Sequence, residues 1–134
     1  MFLVQLNWLA VLVAFVISSA LGGLYFGVII AKPYLAALGR TDRGPSGLAR
    51  NLGPVVCGLL VTLTSAVLLR ALDVTSIGDA LVFGAIVGVG YLSAMTFQIA
   101  LNPNFPRPLY YGVLNAPYFV VSSLAVSAAL VLWR

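Results

Sequence analysis

The carboxylates of this 134-residue chain are Asp42, Asp73 and Asp79, its one thiol is Cys57, and it has neither His nor Glu. That inventory leaves little room for catalysis. Without His, the commonest general base and the usual nucleophile–base pairs are missing. No Asp falls inside a long apolar stretch, so no proton carrier within a membrane is evident. A single Cys forms neither an internal disulfide nor a metal cluster. In its apolar run it reads as a small buried hydrophobe. No Gly-rich phosphate loop follows a strand. An enzyme would need a mechanism built on Tyr, Arg or Asp alone. The residues therefore point to a protein that is not an enzyme, with no catalytic residue, metal or cofactor expected.

The elements that carry these residues follow from composition. Hydrophobic residues make up 62% of the chain and charged residues 7%. A soluble domain carries roughly a quarter charged residues, and a small one leaves too much area exposed to hide this apolar surface. The fold class expected is all-α, an integral membrane bundle of four transmembrane helices, as one domain over residues 1–134. Met1–Ala31, Asn51–Leu69, Ala80–Pro106 and Pro108–Trp133 carry no charge. Each nears or exceeds the ~20 residues a helix needs to cross ~30 Å of hydrocarbon. Backbone groups in lipid must satisfy one another, so these stretches are helices, over about 4–30, 52–72, 79–101 and 110–132. The first lacks a basic leader and is longer than a secretory signal's apolar run, so it reads as a retained helix.

Lys32, Arg40, Arg43, Arg50 and Arg107 fall on one side of these helices, and Arg70 and Arg134 on the other. Cations gather on the cytoplasmic side, so the first and third loops should face the cytoplasm and both termini should lie outside the cell membrane. Trp8 and Trp133 would then sit at the outer interface, and Tyr34, Phe105, Tyr110 and Tyr111 at the inner one. The same five cations are candidate contacts for lipid headgroups. The net charge of +4 forms no run long enough for a nucleic-acid stripe.

Local signals fill in the connections. "NPNFPRPL" (Asn102–Leu109) reads as a tight turn that stops the third helix, with Arg107 either anchored among headgroups or contacting a ligand. "KPYLAALGR" reads as a short interfacial helix after Pro33, followed by a turn in "TDRGPSG". Pro54 should lie in the first turn of the second helix. Ser76 and Asp79 have capping-box spacing, and Arg70 and Asp73 are placed to pair.

Helices in lipid associate through small residues. The first helix offers Ser19, Gly23 and Gly27. The second offers Gly58, Thr62 and Ser65. The third offers Gly84 and Gly88, a stripe continuing through Tyr91, Met95 and Gln98. The fourth offers Asn115, Tyr118, Ser122, Ala125 and Ala129. Pro117 should bend the fourth helix and free the carbonyl of Val113. Tyr25, Gln98, Asn115 and Tyr118 should then share one depth. They form either an internal hydrogen-bond cluster or a small cavity that admits a headgroup or small molecule.

The stretches "NWLAVLVAFV" (Asn7–Val16), "LYFGVIIAKPYLAALG" (Leu24–Gly39), "RPL" (Arg107–Leu109) and "APYFVVSSLAVSAALVLWR" (Ala116–Arg134) resemble the family known as domain of unknown function 1761. The resemblance spans nearly the whole chain. Two positions depart from the family pattern. Tyr34 stands where the family has Trp after Lys-Pro, and Phe119 stands where it has His. An activity carried by that His would be lost here. The resemblance implies a four-helix membrane domain and no established reaction. The role these readings point to first is a non-enzymatic accessory or interaction subunit of a membrane complex or homo-oligomer, and the alternatives are a small-solute transporter or channel and a lipid-binding module. The partners expected are membrane lipids, other membrane subunits or a second copy of the chain, and no nucleic acid.

Overall fold

The computed structural model describes residues 5–134, so the expected helix start at residue 4 lies outside the described residues. Among the described residues four helices are long and apolar enough to cross a membrane: α1 (Trp8–Ile29), α3 (Leu48–Ala71), α4 (Ile77–Ala100) and α5 (Pro108–Leu132). A short helix, α2 (Ala31–Ala37), comes directly after α1. Among the described residues there is no strand.

The helix ends explain the turns. Asn7 caps α1, its side-chain oxygen accepting from the N–H groups of Leu9 (3.1 Å) and Ala10 (3.3 Å). The end of α1 widens into a π-helical turn over Tyr25–Ile29. Its five-residue hydrogen bond runs from the Ile30 N–H to the Tyr25 carbonyl at 2.9 Å. α2 ends in a Schellman turn: Arg40 N–H donates to Leu35, Gly39 N–H donates to Ala36, and Gly39 takes a φ of 69°. α3 ends in the same way, but the left-handed residue is Asp73, at φ 52°. Ser76 caps α4, accepting from the Asp79 N–H at 3.0 Å while its hydroxyl donates to the Asp79 carboxylate at 2.8 Å.

α3 starts at Leu48, earlier than residue 52, because Gly47 is extended and its carbonyl accepts the Asn51 N–H. Arg50 therefore rides on the first turn of α3 rather than in a loop. Pro54 lies inside the helix rather than in its first turn. The turn "NPNFPRPL" is organised by Asn102, whose side-chain oxygen accepts the Asn104 N–H at 2.8 Å. Pro106 of that turn lies against Gly39, 3.2 Å from where a Cβ would stand.

One packed cluster draws on all four long helices: Ala10, Val11 and Ala14 of α1, Ala66 and Leu69 of α3, Ala80 of α4, and Val126, Ala129, Leu130 and Val131 of α5. It lies toward the end of the bundle that carries both termini, here the termini end. α4 and α5 approach most closely. A Cβ on Gly84 would meet the Leu124 Cα at 2.9 Å, and one on Gly88 would meet the Val120 Cα at 2.9 Å. The large apolar side chains mostly face outward, as lipid permits.

α3 is the exception to close packing. Its buried residues are Thr62, Ser65, Ala66 and Leu69. None of residues 48–61 is buried. Toward the other end of the bundle, here the connector end, α3 therefore stands off its neighbours.

Candidate functional site: a groove between α1, α3 and α5

The standing-off of α3 opens a groove of about 940 Å³. Its lining is mostly apolar and includes Ser18, Ser19, Thr62, Ser65, Asn115 and Ser122, of which Ser19 is exposed and the rest are buried. Two positions on α1 carry no side chain into it: a Cβ on Gly23 or Gly27 would meet nothing within 4 Å.

Three arginines stand at the mouth, Arg40, Arg43 and Arg50. The Arg40 and Arg50 guanidinium groups converge on Gly44, where a Cβ would lie 3.3 Å from the Arg40 Cζ and 3.4 Å from an Arg50 nitrogen. Gly44 takes a φ of 69°, which glycine adopts without strain. Arg50 donates to the carbonyls of Arg43 (2.9 Å) and Pro45, and Arg43 donates to the carbonyl of Phe26 at 3.3 Å. The nearby carboxylate, Asp42, accepts the Gly44 N–H at 2.9 Å. Among the described residues the ion pair is Arg134 with Asp73, so none of the three mouth arginines pairs with an acid.

Aromatic rings form the wall beside this mouth. Phe26 meets Tyr118 and Tyr34 edge-on, with ring centres 5.1 and 5.5 Å apart. Tyr34 then meets Tyr111 at 5.7 Å, and Tyr111 meets Phe105 at 4.8 Å. Of the expected inner belt, Tyr34, Phe105 and Tyr111 form one contiguous cluster, whereas Tyr110 is exposed and stays outside it.

Three of the four residues expected to share a polar depth do come together. The Tyr118 hydroxyl donates to the Ser18 carbonyl at 3.0 Å, and the Tyr25 hydroxyl to the Leu114 carbonyl at 2.6 Å. The Asn115 amide donates to the Tyr111 carbonyl at 2.7 Å. Tyr118 and Asn115 also line the groove, whereas Tyr25 stacks behind Tyr118. Each is satisfied by backbone rather than by another member, and the carbonyl that Tyr25 takes, Leu114, is next to the one Pro117 was expected to free, Val113.

Gln98 is exposed and lies outside the group. The cause is a π-helical stretch over Ile86–Ser93. Its wider turns rotate the rest of α4, so the buried face passes from Gly84 and Gly88 to Ser93 and Ala100. Tyr91, Met95 and Gln98 are turned outward.

The glycine stripes divide in the same way. Gly84 and Gly88 pack as expected. Ser19, Gly23 and Gly27 are exposed and line the groove instead of packing. The buried α1 face is Ala10, Ala14 and Ser18. A stripe displaced by one residue points about 100° round the helix. Gly22 and Gly112, not singled out by spacing, make the close contacts, with Tyr118 and Phe97. Cys57 is exposed on the groove rather than buried. Lys32 and Arg107 are exposed but do not line the groove.

A second cavity of about 480 Å³ lies at the termini end, lined by Gln5, Asn7, Arg70 and Arg134 together with core residues. Arg70 donates to Gln5 at 3.2 Å rather than pairing with Asp73. The left-handed turn at Asp73 presents its carboxylate to Arg134, at 2.7 Å. The Arg134 hydrogen bond and charge hold the Asp73 carboxyl below its ordinary value. Asn7 also donates to the carbonyl of Trp133, joining the start of α1 to the end of α5.

A family model described as a protein of unknown function, DUF1761, matches residues 9–131. No curated protein and no solved structure matches the chain.

Proposed function

The chain belongs to the DUF1761 family, whose members are described as of unknown function, and we propose that it is a non-catalytic module of the cell membrane that holds an anionic lipid in the α1–α3–α5 groove. The carrying observation is the set of three guanidinium groups, free of carboxylate partners, at the mouth of a largely apolar groove. Arginine matches phosphate geometry with paired N–H donors. A cation beside an anionic leaflet is worth about 1 kcal/mol. A lipid tail gains little by leaving other tails for an apolar helix face. The preference for one lipid therefore has to come from the headgroup, and the arginines are where it would be read.

In this reading the connector end faces the cytoplasm, because Lys32, Arg40, Arg43, Arg50 and Arg107 gather there. The accessory-subunit reading has less behind it. It needs small-residue faces left free for a partner, yet Gly84 and Gly88 are used inside the chain and Gly23 and Gly27 face the groove.

The test is lipid analysis of the protein purified in mild detergent. Anionic lipid should be enriched over the source membrane with the natural chain and with Arg107→Gln. Enrichment should be lost with Arg40, Arg43 and Arg50 all changed to Gln. Equal lipid profiles for all three proteins would refute the proposal.

A further inference from the structure

The groove does not end against a thick core. On α3, Ser65 lines the groove and its neighbour Ala66 lines the cavity at the termini end. On α5, Val126 lines the groove and Leu130, one turn on, lines that cavity. On α1, Ser18 lines the groove and Val11 the cavity, and the buried residue between them is Ala14. The two openings are thus consecutive along one three-helix seam. They are separated by Ala14, Ala66 and Val126, members of one packed cluster in which valine is the bulkiest of the three.

Arg40, Arg43 and Arg50, free of acid partners, stand at one end of the seam, whereas at the other Arg134 pairs with Asp73 and Arg70 donates to Gln5. Residues 48–61 of α3 leave the groove's flank unpacked, so an occupant's tails can stay in the bilayer while its headgroup lies in the groove.

Resting on the lipid-holding reading, we infer that the seam is a path along which an anionic lipid headgroup passes from one leaflet to the other when the Ala14–Ala66–Val126 layer parts. The layer is a seal of small and branched side chains. The connector-end arginines draw the headgroup in, and the exposed polar groups of the lining, Ser19 and Asn51, replace part of its water. The process breaks no covalent bond and needs no energy source, so lipid would move in both directions down its gradient.

The experiment uses phosphatidylcholine vesicles containing a little headgroup-labelled phosphatidylglycerol, bleached from outside by a reductant that does not cross the bilayer. With the protein present, bleaching should run to completion. In protein-free vesicles it should stop at the outer leaflet's share. Gly23→Phe projects into the groove from a position where a Cβ meets nothing within 4 Å. It should restore the stop. Ala66→Leu, which thickens the seal, should do the same. Bleaching that stops early with the natural chain, while anionic lipid still co-purifies, would overturn passage and leave holding in place. Loss of co-purification as well would overturn both. Complete bleaching that persists in both variants would place the path elsewhere and overturn the inference. Release of entrapped phosphate without lipid movement would make the seam a solute path and would equally overturn it.

Discussion

Asp73 shows how much one residue can hold together. It closes α3 from the left-handed region and its carboxylate meets Arg134, while Arg134 also donates to the Val74 carbonyl at 2.9 Å. Because the folded carboxyl sits below its ordinary value, the pair's contribution is complete above the usual Asp range, near about pH 4, and is lost as pH falls through the lowered value. Asn tolerates the same φ but carries no charge. Asp73→Asn should therefore flatten the acid side of the stability profile measured in detergent, and an unchanged acid limb would argue against the pairing. Sequence spacing points to the wrong partner, because a three-residue interval favours Arg70 along one helix, whereas the helix has already ended at Asp73. Cys57 misleads for a related reason: an apolar neighbourhood in sequence does not say whether a residue faces the core, the groove or lipid.

At the scale of elements, the four long helices were legible because length and missing charge are enough to specify a membrane span. Gly84 and Gly88 were legible too, since the early turns of α4 keep the ordinary α-helical period. The later turns of α4 were not, because the π-helical stretch at Ile86–Ser93 breaks that period without leaving a charge, proline or cap to mark it. Glycines in this stretch separate contact from propensity. Gly88→Ala would press a Cβ onto the Val120 Cα, whereas the same change at Gly90 meets nothing within 4 Å. Gly88→Ala should lower stability in detergent by about 1–3 kcal/mol. Gly90→Ala should leave it unchanged or raise it by up to about 1 kcal/mol. Equal effects at the two sites would contradict the close α4–α5 approach.

For the whole molecule, sequence reasoning offered a small cavity at the depth of Asn115 and Tyr118, which both line the groove, but not the length over which α3 opens it. The Gly58–Thr62–Ser65 stripe marks the face of α3 that turns inward, and Thr62 and Ser65 are buried, but the apolar side chains along the rest of the helix do not say how far along its length it packs. The arginines were visible, but spacing could not bring Arg40, Arg43 and Arg50 to one mouth while leaving Lys32 and Arg107 aside. That convergence depends on the Schellman turn at Gly39, the left-handed Gly44 and the early start of α3. The chain's single cysteine is already inside the groove it would report on. The most direct measurement is therefore the rate at which a maleimide labels Cys57 in the otherwise natural protein, in vesicles of phosphatidylcholine alone and with phosphatidylglycerol added. An occupied groove predicts slower labelling when the anionic lipid is present, and no slowing once Arg40, Arg43 and Arg50 are changed to Gln. Labelling that proceeds at one rate in both membranes would mean that the groove holds no anionic lipid.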